Sequence, residues 1–126
     1  MEDACPCGSG TPYGRCCGPA HAGTPARTAE ALMRSRYSAF ALGDVAYLLA
    51  SWHPSTRPSD LTPDDDVTWR RLQIVDAVAG GPDATEGVVE FRASYRTPTG
   101  AGLLHERSRF VREDGRWFYV DGDDLS

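Results

Sequence analysis

All four cysteines of this chain lie within thirteen residues, in the segment CPCGSGTPYGRCC at positions 5–17. They form two pairs, Cys5 with Cys7 and Cys16 with Cys17, and eight residues separate the pairs. Four thiolates are the complete ligand set of a closed tetrahedral zinc site. The glycines and prolines between the pairs favour the tight turns that a chain needs to wrap around an ion. The segment therefore predicts a structural metal site with all four cysteines as ligands.

The redox compartment decides between a metal site and a disulfide framework. The N-terminal residues MEDACPCG contain no apolar run, so we expect no signal peptide and a cytoplasmic location. Thiols stay reduced in the cytoplasm, which favours a metal, with zinc as the default ion and iron as the competitor. Two alternatives remain open at this stage. One cysteine of each pair could form a disulfide after oxidation, or His21 could replace one thiolate.

The segment also resembles the SEC-C motif, the metal-binding knuckle named after the C-terminus of the SecA translocation ATPase. The resemblance covers both cysteine pairs, the Gly-Ser-Gly at 8–10 and the aromatic residue Tyr13. Some SEC-C motifs have histidine at the last ligand position, where this chain has Cys17. The resemblance implies a docking module for protein partners of the secretion or ribosome-associated machinery. Tyr13 and Arg15 would carry the contacts.

Composition excludes several kinds of function. The thirteen basic residues are all arginine, so neither a lysine Schiff base nor a lysine general base is available. The net charge of −5 argues against a broad nucleic-acid surface, and the two acids and two arginines of residues 1–27 leave no basic patch there. No stretch approaches the roughly 20 apolar residues of a membrane span. We therefore expect neither nucleic acid nor a membrane as a partner.

The pattern after the cysteines predicts a connector and then two helices. Residues 18–27 are rich in glycine, proline and alanine, which leaves open whether the knuckle swings free or packs on the rest of the chain. Thr28 is the expected N-cap of a helix that stops at Gly43, and Asp44 is the expected cap of a second helix that ends before Pro54. A proline-rich acidic loop at 53–66 follows.

From residue 67 onward the apolar period becomes two, which predicts four strands, at 67–80, 86–97, 103–113 and 116–122. In the first, Leu72, Ile74 and Val78 alternate with polar positions, although Val75 interrupts the pattern. The last two are joined by the type I′ hairpin signal at 114–115. Two sets of alternating residues each share one face of a strand: Val89, Phe91, Ala93 and Tyr95, and Glu106, Ser108 and Phe110. If Phe110 points inward, Glu106 and Ser108 do too. Helices followed by antiparallel strands predict an α+β fold, with helices packed on one face of a curved sheet.

Nearly the whole chain is similar to the YchJ family of small bacterial proteins. The similarity lies in EALMRSRYSAFALGDVAYLLASWHPSTRP, GVVEFRASY, HERSRF and GRWFYVDG. It implies a SEC-C knuckle and connector at 1–27, followed at 28–126 by a nuclear-transport-factor-2-like domain. That domain is a cone in which a bent sheet wraps around helices, often leaving a pocket and often forming a homodimer through the outer sheet face. Some members carry a second, C-terminal SEC-C motif, whereas this sequence contains one.

Two classes of function fit these features. The leading hypothesis is a non-catalytic adaptor, in which a structural metal knuckle docks onto a protein and the cone binds a protein or a small ligand. The alternative is a small isomerase or dehydratase, as found among relatives of the fold, in which Glu106 acts as acid or base with Tyr95 and Asp76 as further candidates. The adaptor is favoured over an enzyme.

The role of Glu106 depends on its partner. A buried carboxyl group without a partner has a raised pKa and can transfer protons at neutral pH. A simpler interpretation is that Glu106 pairs with an arginine, for which Arg34, Arg36 and Arg57 are the candidates, and so locks a helix to the sheet.

Overall fold

A computed structural model describes residues 4–61 and 66–125. A short 3-10 turn at Tyr13–Arg15 precedes three helices: α1 at Cys17–His21, α2 at Ala29–Leu42 and α3 at Val45–Ala50. Four strands follow: β1 at Thr68–Ala79, β2 at Glu86–Thr97, β3 at Gly100–Glu113 and β4 at Arg116–Asp124. The strands form one antiparallel sheet in the order β1-β2-β3-β4, which confirms the α+β class.

The helix α2 lies across the inner face of the sheet and contacts β1, β2 and β4. Alternate residues of the strands fill the space beneath it, because successive side chains of a strand point to opposite faces. Val89 and Phe91 of β2, Phe110 of β3 and Trp117 of β4 are each at most 4% exposed. The core of the protein is therefore a single layer between α2 and the sheet.

The boundaries of α2 and α3 confirm the capping signals. The hydroxyl of Thr28 accepts a hydrogen bond from the Ala31 amide at 3.0 Å, and Gly43 ends α2 in the left-handed region with φ +73°. The carboxylate of Asp44 accepts a hydrogen bond from the Tyr47 amide at 3.1 Å and so begins α3. Within the described ranges, no helix is long and apolar enough to cross a lipid bilayer.

The strand β1 departs from simple alternation. Its pairing with β2 shifts register between Trp69 and Arg71 and again between Ile74 and Asp76. Such a bulge inserts an unpaired residue and reverses the faces of the residues that follow it. Val75 is that extra residue in the second bulge. As a result Val78 is 46% exposed on the outer face, and the expectation that it would share the face of Leu72 and Ile74 was wrong.

The hairpin between β3 and β4 is the predicted one. Asp114 and Gly115 have φ values of +52° and +79°, the two positive angles of a type I′ turn. The right-handed twist of this turn matches that of the strands on either side.

The chain that leaves α3 runs beside β4. Trp52 forms an isolated parallel bridge with Tyr119, and the His53 amide donates to the Tyr119 carbonyl at 2.8 Å. This pairing ends α3 at Ala50 and covers the outer edge of β4. The predicted loop at 53–66 starts there with a turn, and its residues 62–65 lie outside the described residues.

Candidate metal centre

Three backbone hydrogen bonds bring the two cysteine pairs together. The Cys5 amide donates to the Thr11 carbonyl at 3.0 Å, and the Gly8 amide donates to the Cys5 carbonyl at 3.1 Å. The Cys16 amide donates to the Tyr13 carbonyl at 3.1 Å and closes the 3-10 turn. The turn after Cys7 needs φ +79° at Gly8 and φ +83° at position 10, which glycine adopts without strain.

The four sulfur atoms lie where a metal ion would require them. All are within 4.8 Å of one another, with 3.5 Å between the sulfurs of Cys7 and Cys16 and 4.0 Å between those of Cys16 and Cys17. A tetrahedral ion with metal–sulfur bonds of about 2.3 Å sets its ligands about 3.8 Å apart. All four cysteines are free thiols, and Cys16 alone among them is partly exposed. The donor set therefore fits one tetrahedral metal ion, with no protein ligand missing.

Hydrogen bonding within the cluster separates the acidities of its thiols. The Cys17 thiol, bonded to the sulfur of Cys7, lowers the pKa of Cys7, and the same interaction, followed by burial, raises the pKa of Cys17. Burial also raises the pKa of Cys16. Four adjacent sulfurs cannot all carry negative charge without a cation, because their mutual repulsion keeps protons on some of them. A divalent ion would replace those protons.

His21 lies outside the sulfur cluster and has another role. Its Nε2 is 2.8 Å from the Ser35 carbonyl, which can only accept, so Nε2 carries the proton. Its Nδ1 then accepts a hydrogen bond from the Tyr13 hydroxyl at 2.6 Å. Because both ring nitrogens are bonded, the structure does not support the alternative in which His21 is a ligand. The ring instead ties the knuckle to α2.

The knuckle packs on the cone, which settles the question that the connector left open. Cys5, Cys7 and Cys17 belong to the same buried cluster as Val89 and Phe110 of the sheet. The connector is held as well, since the Trp117 indole donates to the carbonyl of residue 27 at 3.3 Å. A cleft of about 320 Å³ remains between the connector, α3 and the start of β4, with Tyr47 and Trp117 in its wall.

The three candidate catalytic residues do not form one site. Asp76 is exposed on the outer face of the sheet, where its carboxylate lies 3.3 Å from Arg107. Tyr95 is on the inner face and packs against Trp69. Glu106 is also on the inner face, but it pairs with Phe91, four residues from Tyr95 along β2. The structure therefore does not bring these three side chains together.

Glu106 has a different partner from the one that we expected. Its carboxylate accepts a hydrogen bond from the Ser108 hydroxyl at 2.6 Å. Within the described residues no ion pair joins it to an arginine. Arg34 pairs with Glu30, and Arg57 donates to a backbone carbonyl. Arg36 donates to Leu48 and Ser51, although the charge of Glu106 still opposes the lowering of the Arg36 pKa by burial. The expectation of a direct arginine partner was therefore wrong.

The environment of Arg36 could not be predicted from the sequence. This residue is only 3% exposed, and its guanidinium lies over the rings of Trp52, at 5.1 Å, and Tyr119, at 4.6 Å. It donates to the Leu48 carbonyl at 2.8 Å and the Ser51 hydroxyl at 2.7 Å. Burial lowers the pKa of Arg36 to about 10, so it remains charged at neutral pH. It therefore holds α2, α3 and β4 together.

Comparisons with known proteins agree with this architecture. A family model described as the middle NTF2-like domain of YchJ matches residues 28–122, and the SEC-C motif matches residues 3–19. A UPF0225 protein of Streptomyces coelicolor is 55% identical over 122 residues, which cover 96% of this chain and 95% of that protein. A UPF0225 protein of Xanthomonas oryzae is 52% identical over 123 residues, which cover 95% of this chain and 94% of that protein.

Two solved structures share the fold over both the knuckle and the cone. The solution structure of a SEC-C motif containing protein from Rhodopseudomonas palustris has a TM-score of 0.83 and 32% identity, with all of both chains covered. The crystal structure of a SEC-C motif containing protein from Psychrobacter arcticus has a TM-score of 0.76 and 31% identity, with 93% of this chain and 80% of that chain covered. The chain thus belongs to the UPF0225 family and combines a SEC-C motif with the NTF2-like domain of YchJ.

Proposed function

We propose that the cysteine cluster binds one structural zinc ion per chain. The observation that carries this proposal is the mutual distance of at most 4.8 Å among the four sulfurs. Four protein ligands complete a tetrahedral ion and leave no open position for substrate or water, so the ion stabilises structure and does not catalyse. Iron is the alternative, because it also accepts four thiolates in a tetrahedral site. A cytoplasmic location, where thiols stay reduced, is part of this proposal.

We propose further that the protein is a non-catalytic adaptor that docks onto a protein partner through the knuckle. Of the two expected contact residues, Arg15 is exposed on the knuckle, whereas Tyr13 is half-buried and bonds to His21. Ser9 is also exposed, and three of the four cysteines are buried. Because the knuckle is fixed to α2, the two parts present one rigid surface, which lowers the entropic cost of binding. The likeness of the motif to the SecA knuckle supports a partner in the secretion or ribosome-associated machinery.

The cone and the connector together form the cleft of about 320 Å³ that lies between the connector, α3 and β4. This volume is at the lower end of the range for small-ligand sites. We therefore assign the binding of a small ligand, as the second part of the adaptor role, to this cleft. The catalytic alternative gains no support, because Asp76, Tyr95 and Glu106 lie apart.

Elemental analysis tests the metal site directly. Untagged protein purified without chelator should contain one zinc ion per chain, and its four thiols should react with a thiol reagent only after the protein is denatured with a chelator present. If the protein contains one iron atom per chain and no zinc, iron is the metal of the proposed site. Protein without metal, with four reactive thiols or with disulfides, would refute it.

Affinity capture from a bacterial lysate tests docking. Arg15→Glu reverses a charge on the exposed knuckle surface, whereas Arg96→Glu makes the same change on β2, in the sheet. We expect the first substitution to lose the partner and the second to retain it, with both proteins fully metal-loaded. The captured protein is then identified by mass spectrometry. Equal capture by the two variants would show that the knuckle is not the docking surface.

A further inference from the structure

The helix α2 presents two polar side chains, Arg34 and Ser38, toward the cysteine cluster. They are four residues apart and therefore lie on one face of the helix. Ser38 is completely buried, and its hydroxyl donates to the Cys17 sulfur at 3.2 Å and lies 3.5 Å from the Cys5 sulfur. Both contacts are with the proposed metal ligands. Ser38 belongs to the cone, so the two segments of the chain meet at the sulfurs.

The orientation of Ser38 differs from the usual one for a buried helical serine. Such hydroxyls commonly bond to a backbone carbonyl three or four residues earlier. Ser35 does so, because its hydroxyl bonds to the Leu32 carbonyl at 2.7 Å and contacts the Tyr47 hydroxyl at 2.6 Å. Among the described residues, the hydrogen bonds of the Ser38 hydroxyl are instead with sulfur. A hydroxyl in this position is suited to stabilise thiolate charge.

Arg34 adds positive charge on the same side. Its Nη1 donates to the Cys7 carbonyl at 3.2 Å, while its Nε donates to Glu30 at 3.2 Å. A divalent ion with four thiolates has a net charge of about −2, because the ligands outnumber the charge of the ion. A guanidinium beside the first cysteine pair offsets part of this charge. Arg34 thus supports the same function as Ser38.

We infer that α2 of the cone supplies part of the outer coordination shell of the metal site, with Ser38 as the hydrogen-bond donor to the Cys17 thiolate and in contact with the Cys5 thiolate. This inference rests on the proposed metal binding and deepens it. Outer-shell donors orient the ligands and stabilise their charge, and their loss typically weakens metal binding about 10–100-fold. The site is therefore shared between knuckle and cone, and Ser38 is a positioning residue for the metal.

Two matched alanine variants test the inference. Ser38→Ala and Ser35→Ala each remove one buried hydroxyl from the same helix, but only the first hydroxyl contacts sulfur. Zinc affinity is measured by competition with a chromophoric chelator at pH 7. We expect Ser38→Ala to bind zinc at least about tenfold more weakly than the wild type, as for other outer-shell donors. Ser35→Ala should keep the wild-type affinity.

Cobalt spectroscopy separates a change at the sulfurs from a general loss of stability. A hydrogen bond to a thiolate lowers the energy of its electrons, so removing it should move the thiolate-to-cobalt absorption band to longer wavelength. We expect this shift in cobalt-loaded Ser38→Ala and not in cobalt-loaded Ser35→Ala. The inference would be overturned if all three proteins had the same absorption band and the same zinc affinity. It would also be overturned if both variants lost zinc affinity to the same extent.

A measurement on the wild type covers the case in which Ser38→Ala does not fold. In protein loaded with cadmium-113, a hydroxyl proton that bonds to a ligand sulfur should show scalar coupling to the metal nucleus. The Ser38 hydroxyl should be observable because it is fully buried. Absence of this coupling would overturn the inference alone, whereas failure of the wild type to bind any metal would overturn the proposed metal site as well.

Discussion

The guanidinium carbon of Arg36 lies 4.6 Å from the centre of the Tyr119 ring, and this contact joins the middle of α2 to β4. The ring of Trp52 covers the same guanidinium at 5.1 Å. A cation over a desolvated aromatic ring contributes about 2 kcal/mol or more. Arg36 is therefore a buried cation that aromatic rings and hydrogen bonds stabilise in place of an ion pair.

We expect Arg36→Lys to lower the free energy of unfolding by about 2–4 kcal/mol, because lysine lacks the planar group that stacks and donates at once. Urea denaturation followed by tryptophan fluorescence measures the change. The exposed substitution Arg96→Lys is the control and should have no measurable effect. Equal stability of Arg36→Lys and the wild type would show that the stacking contributes nothing.

Removal of the proposed metal should destabilise the entire chain, because Cys5 and Cys17 share a core with Val89. An ion present at 100–1,000 times its dissociation constant stabilises the folded state by about 3–4 kcal/mol. Calorimetry should therefore show a single unfolding transition in both conditions, and its temperature should be lower when chelator is present. The variant Cys17→Ser should be insensitive to chelator. If the sheet unfolds at the same temperature with and without chelator, the knuckle and the sheet do not share one core.

Gly87→Ala should destabilise the protein by about 1–3 kcal/mol, the usual cost of overpacking. A Cβ at this position would lie 2.6 Å from the Gly80 Cα and 3.0 Å from the Ala29 Cβ. Gly81→Ala is the matched control, since nothing lies within 4 Å of its Cβ. Chemical denaturation of both variants measures the difference. If the two lose the same stability, the close approach of β2 to the start of α2 is not what requires glycine.

The stability of the fold should fall between pH 10 and pH 12 in a way that depends on Tyr119. Burial raises the pKa of Tyr119 to about 12, from about 10 for an exposed phenol. The folded state then keeps a proton that the unfolded state loses, so stability is complete below pH 10 and is lost as the pH rises toward 12.

The variant Tyr119→Phe removes that ionising group. The pKa of Arg36, which burial lowers, acts in the opposite direction over the same range, and because the charge of Tyr119 raises that pKa, removal of the phenol reduces the loss of stability in two ways. Urea denaturation at pH 9 and pH 11 should show a smaller loss for Tyr119→Phe than for the wild type. In the wild type, absorbance at 295 nm should show that the Tyr119 phenol ionises at a higher pH than an exposed phenol. Identical pH dependence in both proteins would exclude Tyr119 as the cause.

The parts of the fold that could be predicted depend on neighbouring residues. Thr28 and Asp44 cap their helices with side chains that reach three residues ahead, and the turn at 114–115 needs only its own two residues. The cysteine cluster was recognised for the same reason, since its four cysteines lie within thirteen residues. Local chemistry determines each of these features.

The features that could not be predicted depend on contacts between distant residues. The bulge at Val75 turns Val78 outward, and only the pairing of β1 with β2 shows it. Arg36 meets Tyr119 across 83 positions of sequence, and no local pattern distinguishes it from a surface arginine. The packing of the knuckle on α2 likewise involves Ser38, which cannot be distinguished in the sequence from an ordinary helical serine.

The two edge strands of the sheet, β1 and β4, are both protected against pairing with a further strand. An edge strand with regularly spaced free amides and carbonyls can recruit a strand of another molecule and start aggregation. Along β1 the two register shifts, after Trp69 and after Ile74, break that regular spacing. On the other side the amide and the carbonyl of Tyr119 in β4 are already bonded to the Ser51 carbonyl and the His53 amide. Growth by strand addition therefore finds no uninterrupted template at the two edges that the structure describes, which protects the sheet against amyloid-like assembly.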